Sequence, residues 1–387
     1  MRILYICNEY PPEPHGGVGS FVKSISKELS NLGHKVYVLG AYKNLKQIKI
    51  QKEGKVIVTK IPLLDKRNRV NFFLNRLKLA KYVRGMVLQH NIDIIETPED
   101  DGWSMFFNVK IPWITRLHNP SPIYSQNSSK NRGTLTRLAE LISISRTDNI
   151  IAVSEFIRDA SLNIYRKSSI SSKTIPVIYN GIDTNLFNFS PYEDREVGRI
   201  VFAGTIKPMK NIEKLLKAYS LVSKEEVDVS LHLFGKDTIF SGESYYELMT
   251  KNLCNVLKKN ITYHGRVPHE NLPPEFAKAS ICVFPSHIES FGLVAAEAMA
   301  CGRPVIYSEN GPGHELINDG LDGLLCNVEN EYDISEKILF LLKYPTKAKT
   351  LAVNARNKIV EKFALPKIIN ENLSYYESCI NQYKIKM

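Results

Sequence analysis

The sequence predicts an α/β protein made of two doubly wound parallel-sheet domains, and three observations carry that expectation. A chain of 387 residues is too long for one ordinary core and suits two domains of roughly 180 residues each. Short β-branched runs alternate with longer amphipathic stretches along the whole length, the pattern of parallel strands covered by helices on both faces. The alternation restarts at "RIVFAG" (199–204) after the polar segment "TNLFNFSPYEDREVG" (184–198). We therefore place one domain at 1–185 and a second at 186–365, with a helix over 366–387 expected to pack back on the first. Two such domains imply a cleft between them, with ligands at the carboxyl ends of the strands.

In chain order, the first-half strands are "RILYIC", "KVYVLG", "KVIVTK", "IDIIE", "WITRLH", "NIIAVS" and "IPVIYN". The second half offers "RIVFAG", "VSLHLFG", "ITYHG", "ICVFP" and "PVIYS". Between the first two strands, "EYPPEPHGGVG" runs into a helix whose start carries Gly16, Gly17 and Gly19. Backbone N–H groups there can receive a phosphate, aided by the helix dipole; the plainer alternative is a turn that needs positive φ. A dinucleotide fingerprint fails, because Val22 stands where its third glycine belongs and "KVYVLGAY" ends without an acid for a ribose, so NAD is not expected.

Composition narrows the class further. Hydrophobic residues at 43% and charged residues at 24% are ordinary for a globular protein, and no apolar run reaches the roughly 18 residues of a membrane span. The N-terminal "MRILYICNEYPP" reads as a buried strand with no basic region or cleavage site, so no secretory leader is expected. Six cysteines without a C-x-x-C pair suit a reducing cytoplasm rather than a disulfide or zinc framework. The net charge of +11 lies entirely in the first half: residues 1–185 hold 27 Lys and Arg against 15 Asp and Glu, the remainder 24 against 25. That asymmetry points to an anionic partner of the first half. Within it, "KRNRVNFFLNRLKLAKYVRGMVL" (66–88) interleaves Lys66, Arg67, Arg69, Arg76, Lys78, Lys81 and Arg84 with aromatic and aliphatic residues at helical spacing. It reads either as an ordinary amphipathic helix on the first sheet or as a docking surface for anionic lipid headgroups.

The stretch "ESFGLVAAEAMACGRP" (289–304) holds the most specific chemistry. Strong helix formers run to a stop at Gly302 and Pro304, with Glu289 before the start and Glu297 about two turns in. If most of that interval is helical, the carboxylates stand about 10–12 Å apart along the axis, with the free N–H groups of the first turn between them. Carboxylate, anion site, carboxylate matches the order of a nucleoside diphosphate sugar: sugar hydroxyls, diphosphate, ribose hydroxyls. A surface role is a poor account of Glu297, whose neighbours Val294, Ala295, Ala296, Ala298, Met299 and Ala300 leave no solvated face.

"HIESFGLVAAEAMACGRPVI" resembles the signature of the retaining family-4 glycosyltransferases, and "PPEPHGGVG", "RLHN", "VSEFIRD", "NGID", "FAGTIKPMKN", "ITYHGRVPHENL" and "NGPGHELINDGLDGLL" follow in that family's order. The resemblance covers nearly the whole chain and implies the GT-B architecture, two Rossmann-like domains facing across a cleft. It implies that Glu297 holds the ribose hydroxyls and that Glu289 contacts the donor sugar. Phe291, Gly292 and Leu293 would offer backbone N–H groups nearby, and Gly16 and Gly17 would face the distal phosphate. His118 would touch the transferred sugar, and Lys210, with Gly204, Thr205 and Lys207, would hold the diphosphate; Glu289, His118 and Lys210 form the implied catalytic set. The chain departs from the commonest pattern in lacking an arginine beside Lys210: Thr205 and Met209 stand at the two usual places, and Lys207 cannot reproduce a bidentate guanidinium.

The expected activity is retaining transfer from a UDP- or GDP-sugar to a glycan, lipid-linked, in cell-surface polysaccharide or glycoconjugate synthesis. No D-x-D sequence is present, so no metal or other cofactor is expected; "PEDDGW" is a weak candidate for ligands. Transfer to a small soluble acceptor, nucleotide-sugar epimerisation, paired-carboxylate hydrolysis and a non-catalytic assembly protein of the same fold are the alternatives. No nucleic acid is expected as a partner. The expected location is cytoplasmic, peripheral on the inner face of the membrane.

Overall fold

Strand β1 (Arg2–Ile6) shows how the first unit is built. Its side chains divide with period two: Ile3 and Tyr5 join a core with Val36, Val38, Phe21 and Ile25, while Leu4 and Ile6 join another with Tyr37, Leu39, Leu79 and Val83. A strand that is apolar on both faces must be covered on both. Helix α1 (Gly17–Asn31) covers one face and α2 (Arg69–His90) the other. The remaining strands are β2 (Lys35–Tyr42), β3 (Lys49–Glu53), β4 (Val56–Pro62), β5 (Ile94–Pro98), β6 (Trp113–Leu117) and β7 (Asn149–Ala152). The sheet order is β3-β4-β2-β1-β5-β6-β7, parallel throughout except for the antiparallel edge strand β3.

This computed structural model describes residues 1–386 apart from 14, 44, 66–67, 119–132, 148, 167–168, 227 and 252. It divides into Met1–Gly181 with Leu365–Met387, and Ile182–Ala364. The second unit repeats the design with β8 (Arg199–Ala203), β9 (Ser230–Phe234), β10 (Ile261–Gly265), β11 (Ile281–Phe284), β12 (Val305–Ser308) and β13 (Leu324–Cys326), all parallel in the order β10-β9-β8-β11-β12-β13. In each sheet the order reverses once, beside β1 and beside β8, and such switch points open a crevice at the strand ends.

Three local expectations are corrected. "IPVIYN" is no strand: it makes a single bridge, Ala152 to Val177, because Pro176 has no N–H to continue a ladder. The edge strand β3 and the three-residue β13 are too polar or too short to stand out in sequence. In α2, Arg76 faces inward and not toward a surface: it is 3% exposed, its guanidinium donates to the carbonyls of Phe72 and Asp101, and it lies over the Phe72 and Trp103 rings. Lys78 likewise turns its ammonium to the Pro62 carbonyl at 2.8 Å, and Lys66 and Arg67 lie outside the described residues.

The C-terminal helix α3 of the first unit's cover, Leu365–Lys386, buries Leu365, Ile368, Ile369, Asn372, Tyr376 and Cys379 along one stripe. A closed polar network ties it to the sheet. Arg116 donates to both oxygens of Glu96 at 2.8 and 3.2 Å, to Ile178 O at 3.1 Å and to Asn372; Tyr376 donates to Glu96 at 2.5 Å and meets the Tyr5 hydroxyl at 2.9 Å. Burial alone would push the Arg116 guanidinium down, and Glu96 beside it more than reverses this, so its net shift is upward. Glu96→Ala leaves that guanidinium buried without a counter-charge and should destabilise the protein by about 3–5 kcal/mol in urea unfolding. The double variant Glu96→Ala/Arg116→Met should lose less than Glu96→Ala alone; an equal or larger loss would show that the ion pair is not what the helix depends on.

Candidate active site

Each unit gathers the expected residues at the carboxyl edge of its sheet. In the first, Gly16, Gly17 and Gly19 follow β1, and His118 follows β6. Gly16 and Gly17 are exposed, so their backbone is open to a ligand. The start of α1 is nonetheless partly taken, since Glu9 accepts the Gly19 N–H at 2.8 Å. Gly19 is a packing requirement rather than a turn, because a Cβ there would collide with the Glu9 carbonyl and the His15 side chain. Glu9 was not singled out in sequence; it stands ten residues before the Gly19 N–H that it holds, across a loop.

His118 is buried, with its ring edge-on to Phe21 at 5.6 Å. Its backbone N–H donates to both oxygens of the buried Glu99, at 3.0 and 2.9 Å. Desolvation, reinforced by the Arg116 charge, lowers its pKa to about 3, so the imidazole is neutral at ordinary pH. Glu99 comes from "PEDDGW", and its carboxylate serves the His118 backbone; among the described residues no group of three or more His, Cys, Asp or Glu side chains is placed to hold a metal ion.

In the second unit the loops after β8 and β11, neighbours in the sheet, bring two motifs together. Gly204 and Thr205 leave β8, and Lys207 precedes a 3-10 turn, Pro208–Lys210. That turn is pinned to the loop after β11 by the His287 N–H, which donates to Met209 O at 3.0 Å. Lys210 thereby meets Glu289, which also accepts from Ser286 Oγ at 2.8 Å. Of the two usual arginine places, Met209 is buried and Thr205 half-buried, so neither position supplies a second cation beside Lys210.

Helix α4, Leu293–Ala300, begins later than its sequence suggests, so Glu297 stands just over one turn inside it instead of two. The approach, Ser290 to Gly292, is not helical, and the spacing of Glu289 and Glu297 is not set by helical rise. Gly292 has φ +92°, and a Cβ there would strike the Tyr307 hydroxyl, a constraint only glycine satisfies. Phe291 is buried against Phe363, which leaves its backbone at the helix start. Glu297 is 4% exposed; one oxygen accepts from His269 Nε2 at 2.8 Å and the other, Oε2, has no hydrogen-bond partner among the described residues. His269 lay inside a recognised motif but had no role in it; Ser286 and Tyr307 carried no sequence signal.

Residues 15–186 match the description Glycosyltransferase Family 4 and residues 185–358 match Glycosyl transferases group 1. An uncharacterized glycosyltransferase of Methanocaldococcus jannaschii is 26% identical over 386 residues, covering 97% of this chain and 98% of that protein. Among solved structures, sucrose-phosphate synthase from Thermosynechococcus elongatus superposes with a TM-score of 0.81 at 23% identity, over 98% of this chain and 99% of that one. Anabaena HepE, solved in complex with UDP and glucose, gives 0.72 at 19% identity, over 98% of this chain and 100% of that one. Two doubly wound sheets, paired glutamates around a helix start and family matches that together run from 15 to 358 lead to one conclusion: the chain belongs to glycosyltransferase family 4 and is a retaining glycosyltransferase of GT-B architecture.

Proposed function

We propose that this enzyme takes its sugar from a UDP- or GDP-sugar and transfers it to a glycan, lipid-linked, in cell-surface polysaccharide or glycoconjugate synthesis. The observation that carries the donor reading is the arrangement in the second unit: Lys210 on the Glu289 carboxylate, the start of α4 beside it, and Glu297 with one buried oxygen unpartnered. These complement sugar hydroxyls, diphosphate and ribose hydroxyls in that order. The UDP and glucose held by Anabaena HepE support the same reading. Departure of the diphosphate places negative charge on the leaving group, and Lys210 with the N–H groups at the α4 start would meet that charge, leaving no step that calls for a metal. The pair Lys210–Glu289, each 19% exposed, keeps both charges compensated until a phosphate competes for the ammonium. For the first unit, the family resemblance assigns His118 the transferred sugar; a neutral imidazole there hydrogen-bonds hydroxyls without adding a cation.

A lipid-linked acceptor is favoured by α2. Its outer face carries Val70, Leu74, Leu77 and Leu88 at spacings of four, three and eleven residues, exposed by 61%, 42%, 48% and 74%, with Arg69, Lys81 and Arg84 also exposed. Apolar residues flanked by cations suit an anionic membrane surface, and each cation near one contributes on the order of 1 kcal/mol. Among the described residues no helix is long and apolar enough to cross a membrane, so such attachment would be peripheral.

A thermal-shift panel of nucleotide sugars tests the donor reading, since a bound ligand raises stability by mass action. Lys210→Ala should lower turnover of the donor that responds, assayed in EDTA, more than it weakens binding of the free nucleoside. Equal losses, or no donor that responds, count against it. His118 gives a pH test: the unfolded chain protonates it near 6.5 and the folded chain only near 3, so stability falls as pH drops through that window. His118→Asn should flatten the loss of melting temperature between pH 7 and 5; equal acid sensitivity in both proteins would contradict a neutral buried imidazole. On α2, the protein should sediment with anionic vesicles at low salt and be released at high salt. Arg69, Lys81 and Arg84 changed to Glu should abolish this, and a wild type that stays in the supernatant points to a soluble acceptor.

A further inference from the structure

We propose that His269 is the positioning residue for Glu297, holding one carboxylate oxygen so that the other is presented to the donor's ribose. The inference rests on the donor reading above. Glu297 is surrounded on α4 by Ala295, Ala296, Ala298, Met299 and Ala300, all buried, and none of these side chains can orient a carboxylate. The group that does so comes from another element. His269 opens a 3-10 turn, His269–Asn271, beyond the end of β10, and its Nε2 lies 2.8 Å from Glu297 Oε1. A carboxylate only accepts here, so Nε2 carries the hydrogen.

The imidazole is itself held. Pro268 precedes it with a fixed φ, and the Phe187 ring lies against it, centroids 5.1 Å apart at 60°. With Oε1 engaged, rotation of the carboxylate is arrested and Oε2, buried and unpartnered, keeps its lone pairs for vicinal hydroxyls. An acceptor fixed before the ligand arrives loses little freedom on binding, which is how a residue that never touches the ribose raises affinity for it. Because the ribose is remote from the bond that breaks, the effect belongs in KM rather than kcat.

Two substitutions separate the hydrogen bond from the packing. His269→Gln keeps an N–H donor near the position of Nε2 and loses the ring; His269→Phe keeps a ring against Phe187 and loses the donor. Dissociation constants for UDP and GDP are measured by calorimetry, with KM and kcat for donor hydrolysis, in the wild type, both variants and Glu297→Ala; inorganic pyrophosphate is the control ligand. His269→Phe should bind the preferred nucleotide roughly tenfold to a hundredfold more weakly, the range for losing a hydrogen bond to a charged group. Its donor KM should rise by a similar factor while kcat changes less, His269→Gln should stay within about threefold of the wild type, and pyrophosphate should bind all four alike. Wild-type affinity in His269→Phe overturns the inference, as does an equal loss in His269→Gln. Tighter binding in His269→Phe also overturns it and makes the imidazole a cover over Glu297. If Glu297→Ala binds nucleotide normally, the ribose reading itself falls and takes this inference with it; if Glu297→Ala loses binding and His269→Phe does not, only the inference falls.

Discussion

Parallel pairing is the constraint on which this protein depends. Strands that all run one way deliver every following loop to the same edge of their sheet, and the return path must be a helix across a face. Apart from the antiparallel edge strand β3, both sheets obey it, so residues far apart in sequence share one edge: Gly17 with His118 in the first, Lys210 with Glu289 and Glu297 in the second. The reversal of strand order beside β1 and β8 then spreads adjacent loops apart, and it is at those two places that the glycine loop and the Lys210 turn leave the sheet.

The two units use buried charge in different ways. Around Arg116 the network is closed: Glu96, Asn372, Tyr376 and the Ile178 carbonyl leave the guanidinium with partners on every side, and its effect is to seat the C-terminal helix. Around Glu297 it is open, with one oxygen held and one without a partner among the described residues. An unsatisfied buried acceptor costs about 1–3 kcal/mol, a cost natural folds carry where a ligand later removes it. Lys210 and Glu289 stand between these cases: each satisfies the other, and both remain partly exposed at the strand ends.

Much of this was legible in the sequence. Two-faced apolar strands such as "RILYIC" announce a parallel sheet because each face needs its own helix, and the structure divides Ile3 and Tyr5 from Leu4 and Ile6 accordingly. The paired glutamates stood out because Glu297 is flanked by alanines and methionine. Arg76 misled, since a long cationic side chain at helical spacing reads as surface until Phe72, Trp103 and two carbonyls are seen to enclose it. The expected start of the helix before Glu297 was early by two residues, because Phe291 and Gly292 fit a helical pattern while Gly292 in fact takes a left-handed conformation under Tyr307.

The sequence by itself determined the fold class, the two sheets and the motifs at their edges, because strand and helix periodicity arise from hydrogen bonds and burial that are local or repeat along the chain. Tertiary structure alone decided which side chains meet. His269 reaches Glu297 across 28 residues, Lys210 reaches Glu289 across 79, and Arg116 reaches Asn372 across 256. No local pattern encodes such partners, since strand order and the packing of each loop fix them, and a buried carboxylate takes its orientation from whichever donor that packing brings within reach.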